Sequence, residues 1–177
     1  MKYKVYIFRG SPLSGKSTLA SAFSSLLPKP VAGIRHDMLR WDIHRLDRHF
    51  TEVTPDEHRF AFENLVVLFE QYLKKGTYYI VIEGLFTWNN SESDQGDVKT
   101  LIELAERYNV SCKSIVLKAD KEKLLERNAA RPQQVPNDEF NTLYDSIYGI
   151  IDPSEIVIDT TTADVDKTLS HLRTEIE

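Results

Sequence analysis

The stretch "YIFRGSPLSGKSTLA", residues Tyr6–Ala20, decides how this chain folds. An apolar run over Tyr3–Phe8 reads as a first strand, and a helix over Ser17–Leu27 is stopped by Pro28 and Pro30. Between them Gly10, Ser11, Pro12, Leu13, Ser14, Gly15, Lys16 and Ser17 satisfy G-x-x-x-x-G-K-[ST]. The glycines let the backbone turn tightly and expose its N–H groups to anionic oxygens, and the helix adds the positive end of its dipole. A chance glycine turn is the other reading, but a position between strand and helix favours a nucleoside-triphosphate grip. Lys16 then reaches the β- and γ-phosphates, Ser17 supplies a hydroxyl to Mg²⁺, and Thr18 lies near the α-phosphate.

Outward from this loop, short apolar runs alternate with amphipathic stretches. Val31–His36 is a second strand, and Met38–His49 has helical spacing. A long helix spans Pro55–Lys75, with Thr54 as N-cap and Gly76 as its stop. "YYIVIEG" is a third strand, Asp97–Tyr108 a helix and "KSIVLKA" a fourth strand. Helices over Lys121–Ala130 and Asp138–Tyr148, the strand "SEIVIDT" and a helix over Ala163–Ile176 complete the chain. Strands apolar on both faces and separated by helices predict an α/β fold, a five-stranded parallel sheet flanked by helices. Ligands in such sheets sit beyond the carboxyl ends of the strands, and His36-Asp37, Glu83-Gly84, Asp120 and Asp159-Thr160 all fall on that rim.

The chain has 177 residues, which predicts a single domain over 1–177. Its 41% hydrophobic and 28% charged residues suit a soluble protein with a full core. No stretch approaches a membrane span or a signal peptide, so the expectation is a cytoplasmic protein without a membrane partner. A net charge of −5 weighs against long duplex nucleic acid, though not against a short single-stranded end in a local cleft. Cys112, the sole cysteine, reads as a structural thiol.

The acceptor side reads from "RHDMLRWD". Asp37 and Arg40 are three apart and share a helix face. Asp37 can take the proton of an alcohol, while Arg40 holds an acceptor phosphate or the transferring group; Asp37 as a helix N-cap is the alternative. His44, Arg45, Arg48 and His49 alternate with acids and read as a solvated face. Glu83 ends the third strand where many such enzymes hold Mg²⁺, unless it pins the phosphate loop. Phe86, Trp88, Asn89 and Asn90 in the loop that follows offer stacking and hydrogen bonds to a substrate, or Trp88 plugs the core. Residues 121–137 read as a lid, where Arg127 and Arg131 lack acidic helical neighbours and can close over the γ-phosphate, aided by Asn128. Thr162 or Asp164 caps the last helix.

The Gly10–Thr18 loop followed by Asp37-x-x-Arg40 resembles the polynucleotide kinase, chloramphenicol phosphotransferase and zeta-toxin-like group of P-loop kinases. The resemblance implies a P-loop kinase fold with a helical lid. It implies ATP as the nucleotide, Asp37 as general base, Lys16 as phosphate clamp, and Arg40 on the acceptor's phosphate. It also implies that Arg127, the first lid arginine, contacts ATP phosphates, and that the turn Asp159–Thr162 borders the adenine. The first-choice acceptor is a 5′-hydroxyl of a polynucleotide or nucleotide-like molecule, and the second a small metabolite, sugar nucleotide or antibiotic. The loop after the third strand lacks the Asp-Thr-Asn-like pattern of polynucleotide kinases. No N-K-x-D guanine-reading motif is present, which sets a regulatory GTPase aside. A non-catalytic nucleotide-binding interaction module is the competing class, and oligomeric state is open.

Overall fold

Alternation along the central strands explains why the sheet is covered twice. In the computed structural model, which describes residues 5–43, 53–76, 78–90, 93–162 and 164–176, β1 (Val5–Arg9) is buried at every position. Val5 and Ile7 point to one face, where they meet Ile80 and Ile82 of β3 (Tyr79–Gly84). That face is covered by α3 (Pro55–Lys75) through Leu65, Phe69 and Leu73, and by α4 (Val98–Arg107) through Val98, Leu101 and Leu104. Tyr6, Phe8 and Val81 point to the other face, together with Ile115 and Leu117 of β4 (Cys112–Lys118). There α1 (Lys16–Leu26) contributes Leu19, Ala20 and Phe23, and α7 (Val165–Ile176) contributes Leu172.

The sheet runs β2-β3-β1-β4-β5, all parallel, with β2 at Val31–Arg35 and β5 at Ile156–Asp159. The chain leaves β1 for β2 and β3 on one side, then crosses to β4 and β5 on the other. The crevice at the carboxyl ends therefore opens around β1, where the glycine loop sits. Register puts Glu83 level with Phe8 on one side and Arg35 on the other, so Glu83 stands at the rim.

The helix signals in the sequence have visible partners. Thr54 caps α3 in a reciprocal box with Glu57, and Gly76 ends it at φ 67°. Asp97 caps α4 by accepting from the Thr100 amide at 2.8 Å. Asp164 accepts from the Asp166 amide at 2.8 Å at the start of α7. The segment after β2 folds as α2 (His36–Asp42), and the rest of the helix expected to reach His49 lies outside the described residues, as do His44, Arg45 and Arg48. α5 (Lys121–Ala129), a loop and α6 (Asn137–Tyr148) make up the region that includes the expected lid, residues 121–137. It has its own small core of Ala119, Leu124 and Phe140, onto which Leu13 of the glycine loop packs. Cys112 lies against the main core, and burial pushes its thiol up to about 12, as suits a structural cysteine. No described helix is long and apolar enough to cross a membrane.

Candidate active site

The glycine loop owes its shape to two positions. A side chain on Gly10 would run into the Leu117 carbonyl and lie 2.7 Å from Ser14 Oγ, so the loop leaves β1 by passing directly over β4. Gly15 faces open space but has φ 89°, a left-handed conformation that costs other residues energy. The loop is braced from behind. Tyr148, at the end of α6, donates its hydroxyl to the Leu117 carbonyl at 2.6 Å and accepts from the Ser11 amide at 3.0 Å. Thr160 donates to the Ser14 carbonyl at 3.0 Å. Ser14 Oγ is buried and meets no hydrogen-bond partner among the described residues.

Lys16 is 6% exposed and donates from Nζ to the Ser11 carbonyl at 3.0 Å. Burial lowers its pKa from the usual lysine value, while the Asp37 and Glu83 carboxylates push it back up and Arg40 and Arg131 push it down. The same ammonium thus feels four of the residues singled out from the sequence. Ser17 and Thr18 begin α1 with exposed side chains.

Asp37 is not a cap, because Arg35 occupies the N-cap position of α2. It lies in the first helical turn, where Arg40 donates from Nη2 to its Oδ1 at 2.7 Å. Arg40 is also tied behind, to His58 Nδ1 at 2.9 Å and Gln95 Oε1 at 3.4 Å. Glu83 accepts from Arg35 Nε at 2.8 Å through Oε1, while its buried Oε2 meets no donor among the described residues. That free oxygen and the exposed Ser17 hydroxyl suit a magnesium ion that takes its remaining ligands from water and phosphate. Among the described residues no cluster of three or more His, Cys, Asp or Glu side chains forms a metal cage.

The lid arginines divide. Arg131 lines a cleft of about 990 Å³ together with Lys16, Asp37, Arg40, Gln95 and Trp41. Arg127 instead donates to three carbonyls, Leu13 at 3.3 Å, Thr160 at 2.7 Å and Thr161 at 3.2 Å. Its helical neighbours include no acid, but backbone oxygens from the glycine loop and the β5–α7 turn take that place. Asn128 faces inward and clamps Val135 twice, donating to its carbonyl at 2.7 Å and accepting from its amide at 3.0 Å.

Residues 5–148 match the family model described as AAA domain, AAA_33. The chain belongs to this AAA domain family. No curated protein matches it. Among solved structures, this AAA domain resembles the unliganded sugar kinase from Janibacter sp. HTCC2649 at 14% identity and TM-score 0.65, covering 97% of this chain and 93% of that one. The Deinococcus radiodurans tunicamycin resistance protein is 14% identical with TM-score 0.66, covering 99% and 96%. Shikimate kinase from Bacteroides thetaiotaomicron is 16% identical with TM-score 0.61, covering 97% of each chain. At these identities the likeness establishes the fold, that of the P-loop kinases.

Two parts of the AAA domain's cleft depart from the sequence reading. Phe86 has 0% exposure and stacks on His36 at 5.4 Å, so it is core and unable to stack on a ligand. Trp88 packs against the core as a partly buried side chain, the alternative its sequence position offered. His58 and Gln95, which line the cleft, escaped notice. In the sequence His58 looks like one more polar residue of a helix surface, and Gln95 belongs to a polar loop.

Proposed function

We propose that this chain is a kinase that transfers the γ-phosphate of Mg·ATP to a hydroxyl acceptor. The observation that carries the reading is that Lys16, Asp37, Arg40 and Arg131 line one cleft beside the glycine loop. Amides of the Gly10–Gly15 loop hold the phosphate oxygens, and Lys16 exchanges the Ser11 carbonyl for one of them. Ser17 and Glu83 would hold Mg²⁺, which would supply positive charge to offset that of the phosphates. Asp37 takes the proton of the acceptor hydroxyl as its oxygen attacks the γ-phosphorus. The new O–P bond forms, the bond to the β,γ-bridging oxygen breaks, and ADP leaves with the electron pair. Arg131 covers the charge on the transferring group, and Arg127 sets the loop crest and nucleotide turn in place or moves to the phosphates when the lid closes.

A polynucleotide 5′-hydroxyl is the acceptor suggested by Asp37-x-x-Arg40. One observation favours a small hydroxylated molecule instead. Arg40 spends both terminal nitrogens on Asp37, His58 and Gln95, which leaves it poorly placed to grip an acceptor phosphate. Two proteins of the same fold are named for such acceptors, a sugar and shikimate. A screen with γ-labelled ATP over 5′-hydroxyl oligonucleotides, nucleosides, sugar nucleotides, sugars and antibiotics tests both readings. Label in one acceptor class, absent with Lys16→Ala, is the expected result. ATP binding without label in any class would leave a nucleotide-binding interaction module.

A further inference from the structure

Behind Asp37 the cleft wall holds a closed triangle of side chains that phosphoryl transfer itself does not employ. Arg40 Nη1 donates to His58 Nδ1 at 2.9 Å, Gln95 Nε2 donates to the same His58 Nδ1 at 3.1 Å, and Arg40 Nη1 reaches Gln95 Oε1 at 3.4 Å. From the triangle Arg40 extends its other terminal nitrogen to Asp37. Gln95 is 4% exposed and the Arg40 side chain 12%, so water competes little for these contacts. A ring nitrogen accepts only when it carries no proton. Two donors converge on Nδ1, which therefore bears the lone pair, and the ring proton sits on Nε2. A second proton on His58 would replace that acceptor by a donor facing a guanidinium, and the contact with Arg40 would turn repulsive.

We infer that His58 and Gln95 are positioning residues of the acceptor site: neutral His58 anchors Arg40, Arg40 fixes the Asp37 carboxylate in the cleft, and protonation of His58 releases the anchor. The inference rests on the reading of Asp37 as the proton acceptor of a kinase. A purely structural histidine joining α2 to α3 would also touch Arg40, but it would not tie the rate to its own protonation.

The charges around His58 agree on direction. Burial lowers its pKa first, and Arg40 of α2 lowers it further; Asp94 before α4, the Gln95 hydrogen bond and the Val53 backbone raise it, without reversing the sign. Asp37 and His36 also face this wall from α2, and Arg131 and Glu139 line the opposite side of the cleft. His36 is buried and neutral, so it adds no charge near neutral pH. The triangle is intact above the ordinary histidine range and comes apart as pH falls below it.

Two measurements on the full chain test this. Nitrogen NMR of the His58 imidazole should show the neutral Nε2–H tautomer, titrating below 6.5 and moving upward in Arg40→Met. An Nδ1–H tautomer, or a titration at or above 6.5, would overturn the triangle whether or not an acceptor has been found. In transfer assays His58→Ala should lower kcat about ten- to a hundredfold with KM for Mg·ATP within about twofold, the signature of a misplaced group. In His58→Asn the amide oxygen stands where Nδ1 stood and has no proton to gain. That variant should restore most of the rate and shift the acid limb of the pH profile downward. An alanine variant as fast as the parent, or an asparagine variant with the parental acid limb, would contradict the inference. Loss of all transfer from the parent chain alongside the expected tautomer would count against the kinase reading alone.

Discussion

His36 shows how one buried ring couples this fold to pH. Its side chain is fully buried between Phe62 at 6.0 Å and Phe86 at 5.4 Å, and neither ring nitrogen has a hydrogen-bond partner among the described residues. Burial first and Arg40 second lower its pKa from 6.5 to about 4. The folded value lies below the unfolded one, so the unfolded chain takes up the proton first. Its contribution is complete above pH 6.5 and is lost as pH falls toward 4, about 3 kcal/mol in all. Urea unfolding should show this loss between neutral pH and about pH 4.5 in the parent chain and not in His36→Phe. Equal pH dependence in both would refute the assignment. The sequence shows a histidine at a strand end without ligand partners, but not that two phenylalanines, one from α3 and one from the loop after β3, close over it.

At the scale of elements, regular structure was legible because its signals are local. Apolar runs marked all five strands, and the Thr54 cap and the Gly76 stop marked the ends of α3, since capping depends on residues within one turn. The lid was legible as a helix, a Pro-limited loop and a helix, but not its internal bonds. Asn128 looked like a ligand contact and instead binds both polar groups of the Val135 backbone. Asn128→Ala leaves that amide without its acceptor, and the lid loop opens more readily. Hydrogen exchange at the Val135 amide should rise at least about tenfold, with the sheet amides unchanged. Unaltered exchange at Val135 would mean that the loop is held by something other than Asn128.

Across the whole molecule, the contacts that sequence reading missed join residues far apart. Arg9 ends β1 with 0% exposure and grips Glu155, donating from Nε at 2.7 Å, with Ser114 adding a 2.6 Å bond to the same carboxylate and the Ile150 carbonyl taking Arg9 Nη2 at 2.9 Å. Nothing near Arg9 in the chain announces a partner 146 residues away. This pair fixes the α6–β5 connection beneath the phosphate loop, beside the Tyr148 brace. Arg9→Leu leaves a buried carboxylate without its cation and should cost about 3–5 kcal/mol by chemical unfolding, while Arg9→Leu with Glu155→Leu recovers part of that. The strand order is another global fact, since parallel strands can cross in more than one way, whereas the rim carrying Lys16, Asp37 and Glu83 was legible from strand ends alone. The central claim is that this rim sets a bound triphosphate against an alcohol deprotonated by Asp37. It is tested most directly by Asp37→Asn, with Mg·ATP affinity and γ-phosphate transfer measured on the same preparation. The account predicts affinity within about threefold of the parent and transfer reduced at least about a hundredfold. Transfer at the parental rate would contradict it.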